Sequence, residues 1–229
     1  MKKIGLVGGT GPESTIMYYK ALNTRIDKAT DGKMMPEIAI ESVNFRKAWE
    51  LVSTAQQKEL ANYLSEKVNR LAGSGAEVIA LTAVTMHMVL EEIEHDTKIS
   101  LVSIPRAVCD EAAKKGYKKV GLLGTIFTME QEFMKKDLLQ AGIEVVVPET
   151  ADRQLVAKRI FEELEFGIVK ESTLQEFNEI IKKMQKEHGI EAIVLGCTEL
   201  PLLLNDENCV LPCMDSVTIH IEKLAELAM

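Results

Sequence analysis

The fold is decided by the stretch Val194-Leu195-Gly196-Cys197-Thr198-Glu199-Leu200-Pro201. An apolar run from Ala192 to Leu195 ends abruptly there in a glycine, a thiol and two polar side chains. Such a run is typical of a strand that is buried on both faces of a parallel sheet. The polar residues then fall at the carboxyl end of the strand, where open α/β sheets bind their ligands. The stretch predicts an α/β fold with a functional site near Cys197.

The chain carries a second copy of this stretch. Residues 189–197 align with residues 75–83, and Gly, Glu, Ile and Leu match in register. Residues 118–125 align with residues 2–9 at nearly the same offset. The offset of 114 to 116 residues is too long for a solenoid repeat and fits a duplicated half. Chance similarity of two glycine-bounded apolar strands is the alternative.

Strands that alternate with helices predict an α/β fold with mainly parallel sheets flanked by helices. The duplication predicts two pseudo-symmetric domains of this type, with the active site in the cleft between them. The strands are expected at 4–7, 36–43, 78–81, 98–104, 120–123, 143–147, 192–195 and 210–211. The main helices are expected at 57–71, 88–94, 105–115, 153–164, 172–187 and 216–228, with one through Tyr18 to Ile26 and one whose first turn carries Glu130 and Glu132.

Composition excludes several classes of function. A net charge of −8 argues against nonspecific nucleic-acid binding, which needs a basic surface. No apolar run approaches the length of about 20 residues that a membrane span needs, and the N-terminus does not resemble a signal peptide. The four cysteines form no Cys-x-x-Cys pair. Cys209 and Cys213 are four apart without a second ligand pair, so reduced cytoplasmic thiols are favoured over a zinc site.

Two further stretches carry candidate ligand groups. The glycine turn at 8–15 follows the first strand and begins a helix, so its backbone amides could hold a small carboxylate at the helix N-terminus. A plain structural turn is the alternative there. Arg46 follows another strand and could hold a substrate carboxylate by a two-pronged contact, or it could be an ordinary surface arginine.

A duplicated strand end suits a reaction in which two protein groups act on opposite faces of one substrate carbon. One acid–base group on each side of an α-carbon can remove a proton while the other delivers one, which inverts the centre. Cys197 lies where one such group belongs, and a thiol with a tuned pKa can fill that role. The competing interpretation of Cys197 is a small buried apolar side chain.

Several motifs together resemble the cofactor-independent aspartate/glutamate racemase family, in its bacterial amino-acid racemase branch. They lie in the same order as in the family and cover nearly the whole chain: residues 8–15, Thr85-Met86-His87, Gly124-Thr125, 128–131, 160–164 and Gly196-Cys197-Thr198-Glu199. The resemblance implies two-base proton transfer at Cα without pyridoxal phosphate or a metal. It also implies a homodimer and a C-terminal helix that packs back on the first domain. The expected location, the cytoplasm, follows from the reduced thiols and the N-terminus described above. The expected domains are 1–97 plus 213–229, and 98–212.

The resemblance also assigns roles to residues. Cys197 matches one catalytic acid–base group, and Ala83 stands at the position of the other. His87 is expected to have a packing or supporting role. The expected substrate-binding set for a small acidic amino acid or dicarboxylate is Thr10, Arg46, Val84, Thr85, Thr125, Thr128, Thr198 and Glu199.

Two departures from the family pattern bear on activity. The family reads Cys-Asn-Thr or Thr-Asn-Thr where this chain reads Ala83-Val84-Thr85, so the first acid–base position is vacated and racemisation is expected to be impaired or altered. Four interpretations of this departure stay open. The chain could carry substitutions that inactivate the enzyme, or it could use a single thiol, as the related arylmalonate decarboxylases do. Thr82 could supply the missing acid–base group, or the protein could bind a dicarboxylate without catalysis. Glu165 stands where some members carry a lysine in the substrate pocket, which leaves substrate choice open.

Overall fold

A computed structural model describes all 229 residues of the chain. Its packing divides the chain into two compact units, Met1–Ser103 with His220–Met229, and Ile104–Ile219. Each unit is built on a parallel sheet of its own, which confirms the predicted α/β fold class. No helix combines the length and the apolar character that crossing a membrane requires.

The first unit has a three-stranded sheet in the order β2-β1-β3, and all its strand pairs are parallel. Strands β1 and β3 are buried along their whole length, as their unbroken apolar sequences predict. The elements of this unit are β1 (Ile4–Gly8), α1 (Pro12–Ala29), β2 (Ile38–Ser42), α2 (Phe45–Ser53), α3 (Gln57–Gly73), β3 (Val78–Leu81), a 3-10 helix (Val84–Val89) and α4 (Leu90–Thr97).

Two long helices bury one apolar stripe each in the first unit. Helix α1 buries Tyr18, Leu22 and Ile26, which are spaced by four residues and therefore share a face. Helix α3 buries Leu60 and Leu64 in the same way. Each fully buried side chain of this size contributes roughly 1.5–3 kcal/mol relative to exposure. Both helices pack against β1.

The second unit has a four-stranded parallel sheet in the order β5-β4-β6-β7. Its core joins the strands to α8 and α9 through side chains such as Ile160, Phe177 and Leu195. The elements are α5 (Ile104–Lys115), β4 (Lys119–Leu123), α6 (Ile126–Glu130), α7 (Lys136–Gln140), β5 (Glu144–Val146), α8 (Thr150–Glu162), a 3-10 helix (Leu164–Phe166), α9 (Glu171–His188), β6 (Ala192–Leu195), a 3-10 helix (Leu200–Leu202), β7 (Cys213–Asp215) and α10 (Ser216–Ala228).

The duplication inferred from the sequence is visible in equivalent hydrogen bonds. The backbone N–H of Glu77 donates to the Lys3 carbonyl at 2.9 Å, and that of Glu191 donates to the Lys119 carbonyl at 2.9 Å. An isolated parallel bridge between Ala80 and Val102 also takes the place that β7 has beside β6. The two sheets therefore share one plan, and the first unit has only a single bridge where the second has a fourth strand.

Three secondary-structure predictions are wrong. The strand expected at 98–104 is reduced to the bridge at Val102, because Lys98 ends α4 in a left-handed conformation and α5 begins at Ile104. The strand expected at 210–211 is absent, since the N–H of Val210 donates to the Asn178 side chain and the last strand is β7. The helix expected around Glu130 and Glu132 is two short helices, α6 and α7.

The last helix passes from one packing unit to the other. Strand β7 pairs with β6, so residues 213–219 pack with the second unit instead of the first, to which the sequence prediction assigned them. Residues from His220 onward pack with the first unit, where the N–H of Lys2 donates to the Ala228 carbonyl at 2.8 Å. The first unit also extends to Ser103, beyond the predicted boundary at 97/98.

Candidate active site

The carboxyl end of β6 carries the thiol that the sequence singles out. Cys197 follows the strand by two residues and is only 8% exposed. Its Sγ donates a hydrogen bond to Oε2 of Glu199 at 2.9 Å. Burial and the neighbouring negative charge of Glu199 raise the pKa of the Cys197 thiol well above its usual value. The thiol is therefore the resting form at neutral pH, with a carboxylate positioned to accept its proton.

A second carboxylate acts on the same thiol. Glu165 lies in the 3-10 helix after α8, and its negative charge also raises the pKa of Cys197. Partial burial and the charge of Glu199 raise the pKa of Glu165 itself. The sequence marked Glu165 only as a departure from the family pattern. Its effect on Cys197 acts between residues far apart in the chain, for which the sequence carries no local signal.

Two threonines lie at the neighbouring strand end of the same sheet. Thr125 follows β4 and caps α6, since its Oγ1 accepts a hydrogen bond from the N–H of Thr128 at 3.3 Å. The hydroxyls of Thr125 and Thr128 are 3.1 Å apart. Thr128 is buried between two glycines, because a Cβ at Gly124 or at Gly196 would lie 2.8 Å from its Cγ2 methyl. Glycine at both positions lets the β4 and β6 ends approach Thr128.

The residues after Cys197 also stay at this strand end. Thr198 and Glu199 are half-buried, and Glu199 begins the short 3-10 helix Leu200–Leu202. The second unit thus brings together Thr125, Thr128, Cys197 and Glu199 at one edge of its sheet, in agreement with the rule that parallel strands present their ligand groups at their carboxyl ends.

At the equivalent strand end in the first unit, the position that matches Cys197 carries no acid–base side chain. The N–H of Thr82 donates to the Val7 carbonyl at 3.1 Å, and the N–H of Gly196 donates to the Leu123 carbonyl at 2.7 Å. Because these two hydrogen bonds occupy the same place in the two sheets, the residue after each donor is also equivalent. Ala83 therefore stands in the first unit where Cys197 stands in the second.

The residues on either side of Ala83 do not replace the missing group. Thr82 is fully buried, its hydroxyl donates to the Val7 carbonyl at 3.3 Å, and its own carbonyl accepts from Ser14 Oγ at 2.6 Å. Val84 is buried and apolar. Thr85, which follows it, is half-buried.

His87 holds this turn in shape. Its Nδ1 lies 3.0 Å from the Ala83 carbonyl and 3.2 Å from the Val84 carbonyl. Both partners are acceptors, so Nδ1 carries the proton and donates. The side chain is 3% exposed, and its ring packs edge-on against His220 with the ring centroids 6.1 Å apart.

The glycine turn before α1 has the features of an anion site. Thr10 is 9% exposed, and its buried Oγ1 has no hydrogen-bond partner within the protein. The turn is pulled close to β2, because a Cβ on Gly9 would lie 2.7 Å from the Val43 carbonyl and would also clash with Ser42 Oγ. The 18-residue helix α1 begins directly after Gly11 and directs its positive end to this turn. An unpartnered hydroxyl at a helix N-terminus suits a carboxylate.

Arg46 lies at the carboxyl end of β2, at the start of α2. Its side chain is exposed, and the preceding Asn44 caps the helix by accepting from the N–H of Lys47 at 3.3 Å. The first unit therefore places Thr10, Arg46 and Ala83 after β1, β2 and β3 in turn. No cluster of three or more His, Cys, Asp or Glu side chains has the arrangement of a metal site.

Comparison with known proteins gives one family and several close structural relatives. The family model described as Asp/Glu/Hydantoin racemase matches residues 7–224. A candidate Asp/Glu racemase from Yersinia pestis is 36% identical and superposes with a TM-score of 0.95, over 100% of this chain and 99% of its own. An aspartate racemase homologue from Pyrococcus horikoshii OT3 is 38% identical, with a TM-score of 0.89 over 100% and 99% of the two chains.

A more distant structure shares the fold. The aspartate racemase of Picrophilus torridus is 18% identical and superposes with a TM-score of 0.75, over 100% of this chain and 94% of its own. At that identity the similarity concerns the architecture alone.

Proposed function

The chain belongs to the Asp/Glu/Hydantoin racemase family, and we propose that it acts at the α-carbon of a small amino acid with Cys197 as its acid–base group. The observation that carries the proposal is the hydrogen bond of 2.9 Å between the buried Cys197 thiol and the Glu199 carboxylate. A thiol and a carboxylate in this contact can exchange a proton without the help of solvent.

In the proposed reaction, Glu199 accepts the proton of the Cys197 thiol and leaves a thiolate. The thiolate takes the α-proton of the substrate, and the electron pair of the broken C–H bond stays on the substrate as a carbanion. While the carbanion persists, the hydrogen on the Cys197 sulfur is replaced by one from solvent by way of the half-buried Glu199. The thiol then gives this proton to Cα, which restores the C–H bond, and Glu199 returns its proton to sulfur. The raised pKa of Cys197 makes its thiolate a strong base, which suits abstraction of a weakly acidic proton.

The vacated position in the first unit limits this chemistry to one base. Ala83 has no proton to give, and the Thr82 hydroxyl is already bound to the Val7 carbonyl in the sheet. The argument therefore favours exchange of the α-proton with solvent over inversion. A chain that exchanges the α-proton without inverting Cα would carry out only the first step of the family reaction, abstraction of the proton.

We propose aspartate, glutamate or a related dicarboxylate as the substrate class. The unpartnered hydroxyl of Thr10 is assigned to a substrate carboxylate, and Arg46 to the side-chain carboxylate. Thr85, Thr125, Thr128 and Thr198 are assigned to the remaining polar groups of the substrate. We further propose, from the resemblance, that the reaction needs no cofactor or metal and that the protein is a homodimer. A cytoplasmic location is proposed from the four free cysteines.

The test is proton exchange at Cα in deuterated water, followed by nuclear magnetic resonance for the L and D forms of aspartate and glutamate. Loss of the α-proton signal with retention of the starting enantiomer is expected. Cys197→Ser should slow the exchange by a factor of about 10²–10⁴, as loss of a general base does. Cys109→Ser removes a half-buried thiol outside the candidate site and is the matched control. Absence of exchange for all four compounds would contradict the proposal.

A second candidate function is dicarboxylate binding without catalysis. Ala83 and the buried Val84 favour it, because neither can act on a proton. A rise in melting temperature with aspartate or glutamate, together with no α-proton exchange, would identify a binding protein. Release of carbon dioxide from a malonate-type acid would instead identify a one-thiol decarboxylase.

A further inference from the structure

One peptide group joins the end of β6 to the turn that carries the candidate thiol. It consists of the Leu195 carbonyl and the N–H of Gly196, and Cys197 is the next residue. A peptide group is planar, so hydrogen bonds to its carbonyl and to its N–H together fix its orientation. The orientation of this plane decides the direction in which the chain enters the turn.

Both polar groups of this peptide unit are hydrogen-bonded to neighbouring elements. The N–H of Gly196 donates to the Leu123 carbonyl of β4 at 2.7 Å. On the side of β7, the Ser216 hydroxyl donates to the Leu195 carbonyl at 2.7 Å. Leu195 is 1% exposed and Ser216 is fully buried, so water has little access to the second contact. The plane is therefore held by a backbone group on one side and by a side chain on the other.

The glycine at position 196 makes this pair of hydrogen bonds important. A Cβ on Gly196 would lie 2.8 Å from the Thr128 methyl and 2.9 Å from the Leu123 carbonyl, so the close packing requires glycine. Glycine adopts more backbone conformations than any other residue. The conformation of the chain just before Cys197 therefore depends on its hydrogen bonds.

The Ser216 hydroxyl has a fixed place in the fold. Asp215 pairs in register with Leu195 at the end of β7, and Ser216 is the first residue of α10. A carboxylate oxygen of Asp215 accepts from the N–H of Val217 at 3.0 Å, which ties the strand end to the first turn of the helix. Ser216 lies between these two residues, so its hydroxyl reaches β6 from an ordered segment.

We propose that Ser216 is a positioning residue for Cys197. By holding the peptide group between Leu195 and Gly196, its hydroxyl directs the thiol onto the Glu199 carboxylate, which lies 2.9 Å away. Ser216 gives and takes no proton in the reaction and acts only through the backbone. A displacement of about 1 Å at a reacting group can slow an enzyme about 10²-fold. The inference rests on the proposed function, because it assigns Ser216 to the acid–base group of that reaction.

The first experiment measures α-proton exchange of aspartate and glutamate in deuterated water. Ser216→Ala removes the hydroxyl, so exchange at saturating substrate should slow about tenfold or more. The KM should change by less than about twofold, because the groups assigned to the substrate carboxylates lie elsewhere. Thr218→Val is the matched control. It removes a hydroxyl from the same helical turn that binds Asp215 instead of β6, and its exchange rate should stay within about twofold of the unsubstituted chain.

The second experiment measures thiol chemistry and needs no turnover. Alkylation of Cys197 by iodoacetamide is followed by mass spectrometry, with Cys109 as the internal reference in the same sample. When the thiol moves away from Glu199, the negative charge that raises its pKa acts on it less strongly. In Ser216→Ala, alkylation of Cys197 should therefore be about threefold or more faster than in the unsubstituted chain, whereas that of Cys109 should be unchanged.

A second variant, Ser216→Cys, nearly preserves the size of the buried side chain and replaces the hydroxyl by a weaker donor. It should fold normally and slow the exchange in the same direction by a smaller factor. Unchanged exchange and unchanged Cys197 alkylation in both variants would overturn the proposal. Equal acceleration of Cys197 and Cys109 would also overturn it, because it would show a general loosening of the second unit. If the unsubstituted chain exchanges no α-proton, the proposed function fails, and the alkylation comparison alone still decides the role of Ser216.

Discussion

The Cys197 thiol donates to the Glu199 carboxylate at 2.9 Å, and both groups lie in the turn directly after β6. The contact couples a proton donor to an acceptor in a place where water has little access, since Cys197 is 8% exposed. A carboxylate in that position stabilises the thiol against ionisation and also accepts its proton when a substrate requires the thiolate. The ionisation of Cys197 is therefore the property on which the proposed chemistry depends.

Replacing Glu199 should make Cys197 easier to ionise. In Glu199→Gln the negative charge that raises the pKa of the thiol is removed, while burial continues to raise it. We expect the midpoint pH of Cys197 alkylation to fall by about one unit or more, measured residue by residue with iodoacetamide and mass spectrometry. Glu165→Gln should produce a smaller fall, because its charge contributes least among the groups that raise this pKa. An unchanged midpoint in Glu199→Gln would contradict the assigned contact.

Restoring the first strand end should restore inversion. The double variant Ala83→Cys, Val84→Asn places a thiol at the position equivalent to Cys197. We expect it to convert one enantiomer of aspartate or glutamate into the other, measured by chiral chromatography. For the unsubstituted chain we expect proton exchange without this conversion. The rate of inversion in the double variant should exceed that of the unsubstituted chain by a factor of about 10² or more, as is typical when an acid–base group is supplied.

The control for that experiment is the same double variant with Cys197→Ser. It has a thiol in the first unit and none at the β6 end, so inversion should disappear again. If the double variant neither exchanges nor inverts, the binding function gains support over the catalytic one.

The sequence predicts the two sheets well because several of their strands are apolar and are buried along their whole length. Val78–Leu81 and Ala192–Leu195 are short, unbroken apolar runs with glycine or polar residues at their ends, and such runs have few other places in a soluble protein. Strand β7 is missed because its three residues, Cys-Met-Asp, have no strand pattern and are recruited by pairing with β6.

The candidate site is predictable only in part, because the local sequence pattern locates residues at strand ends but does not reveal which distant residues pack against them. Residues next to a strand end, such as Cys197 and Thr125, are located by the local pattern. The influence of Glu165 on Cys197 and the unpartnered hydroxyl of Thr10 depend on packing between distant segments. Hydrogen-bond partners and charges of that kind follow from the fold and leave no mark on the sequence nearby.

A matched pair of glycine substitutions tests the approach of the first turn to β2. Gly9 and Gly75 have almost the same positive φ, +83° and +85°, but a Cβ meets backbone only at Gly9. Alanine at either position should cost about 1–2 kcal/mol for the left-handed conformation. Gly9→Ala should lose about a further 1–3 kcal/mol of unfolding free energy by overpacking against Val43. Equal losses in chemical denaturation would show that the turn does not lie against β2.

His220 should make the stability of the first unit sensitive to acid. Its Nδ1 accepts from the Tyr18 hydroxyl at 2.7 Å, and its Nε2 donates to the Val102 carbonyl at 2.9 Å, so the buried ring is neutral with its proton on Nε2. Burial, with a smaller effect of His87, lowers its pKa from 6.5 to about 3. Between these values the unfolded chain binds a proton that the folded chain does not, so this contribution is present above pH 6.5 and is lost as the pH falls toward 3.

The size of this effect can be isolated by comparing unfolding free energies of the natural chain and His220→Gln across pH. The natural chain should lose about 1.4 kcal/mol more than the variant for each pH unit below the unfolded pKa of histidine. The advantage of the natural chain, largest at pH 7, should therefore shrink as the pH is lowered toward 4.5. His95→Gln, whose side chain is 79% exposed, is the control and should follow the natural chain. A pH-independent difference between the natural chain and His220→Gln would mean that the ring is not held neutral between Tyr18 and Val102.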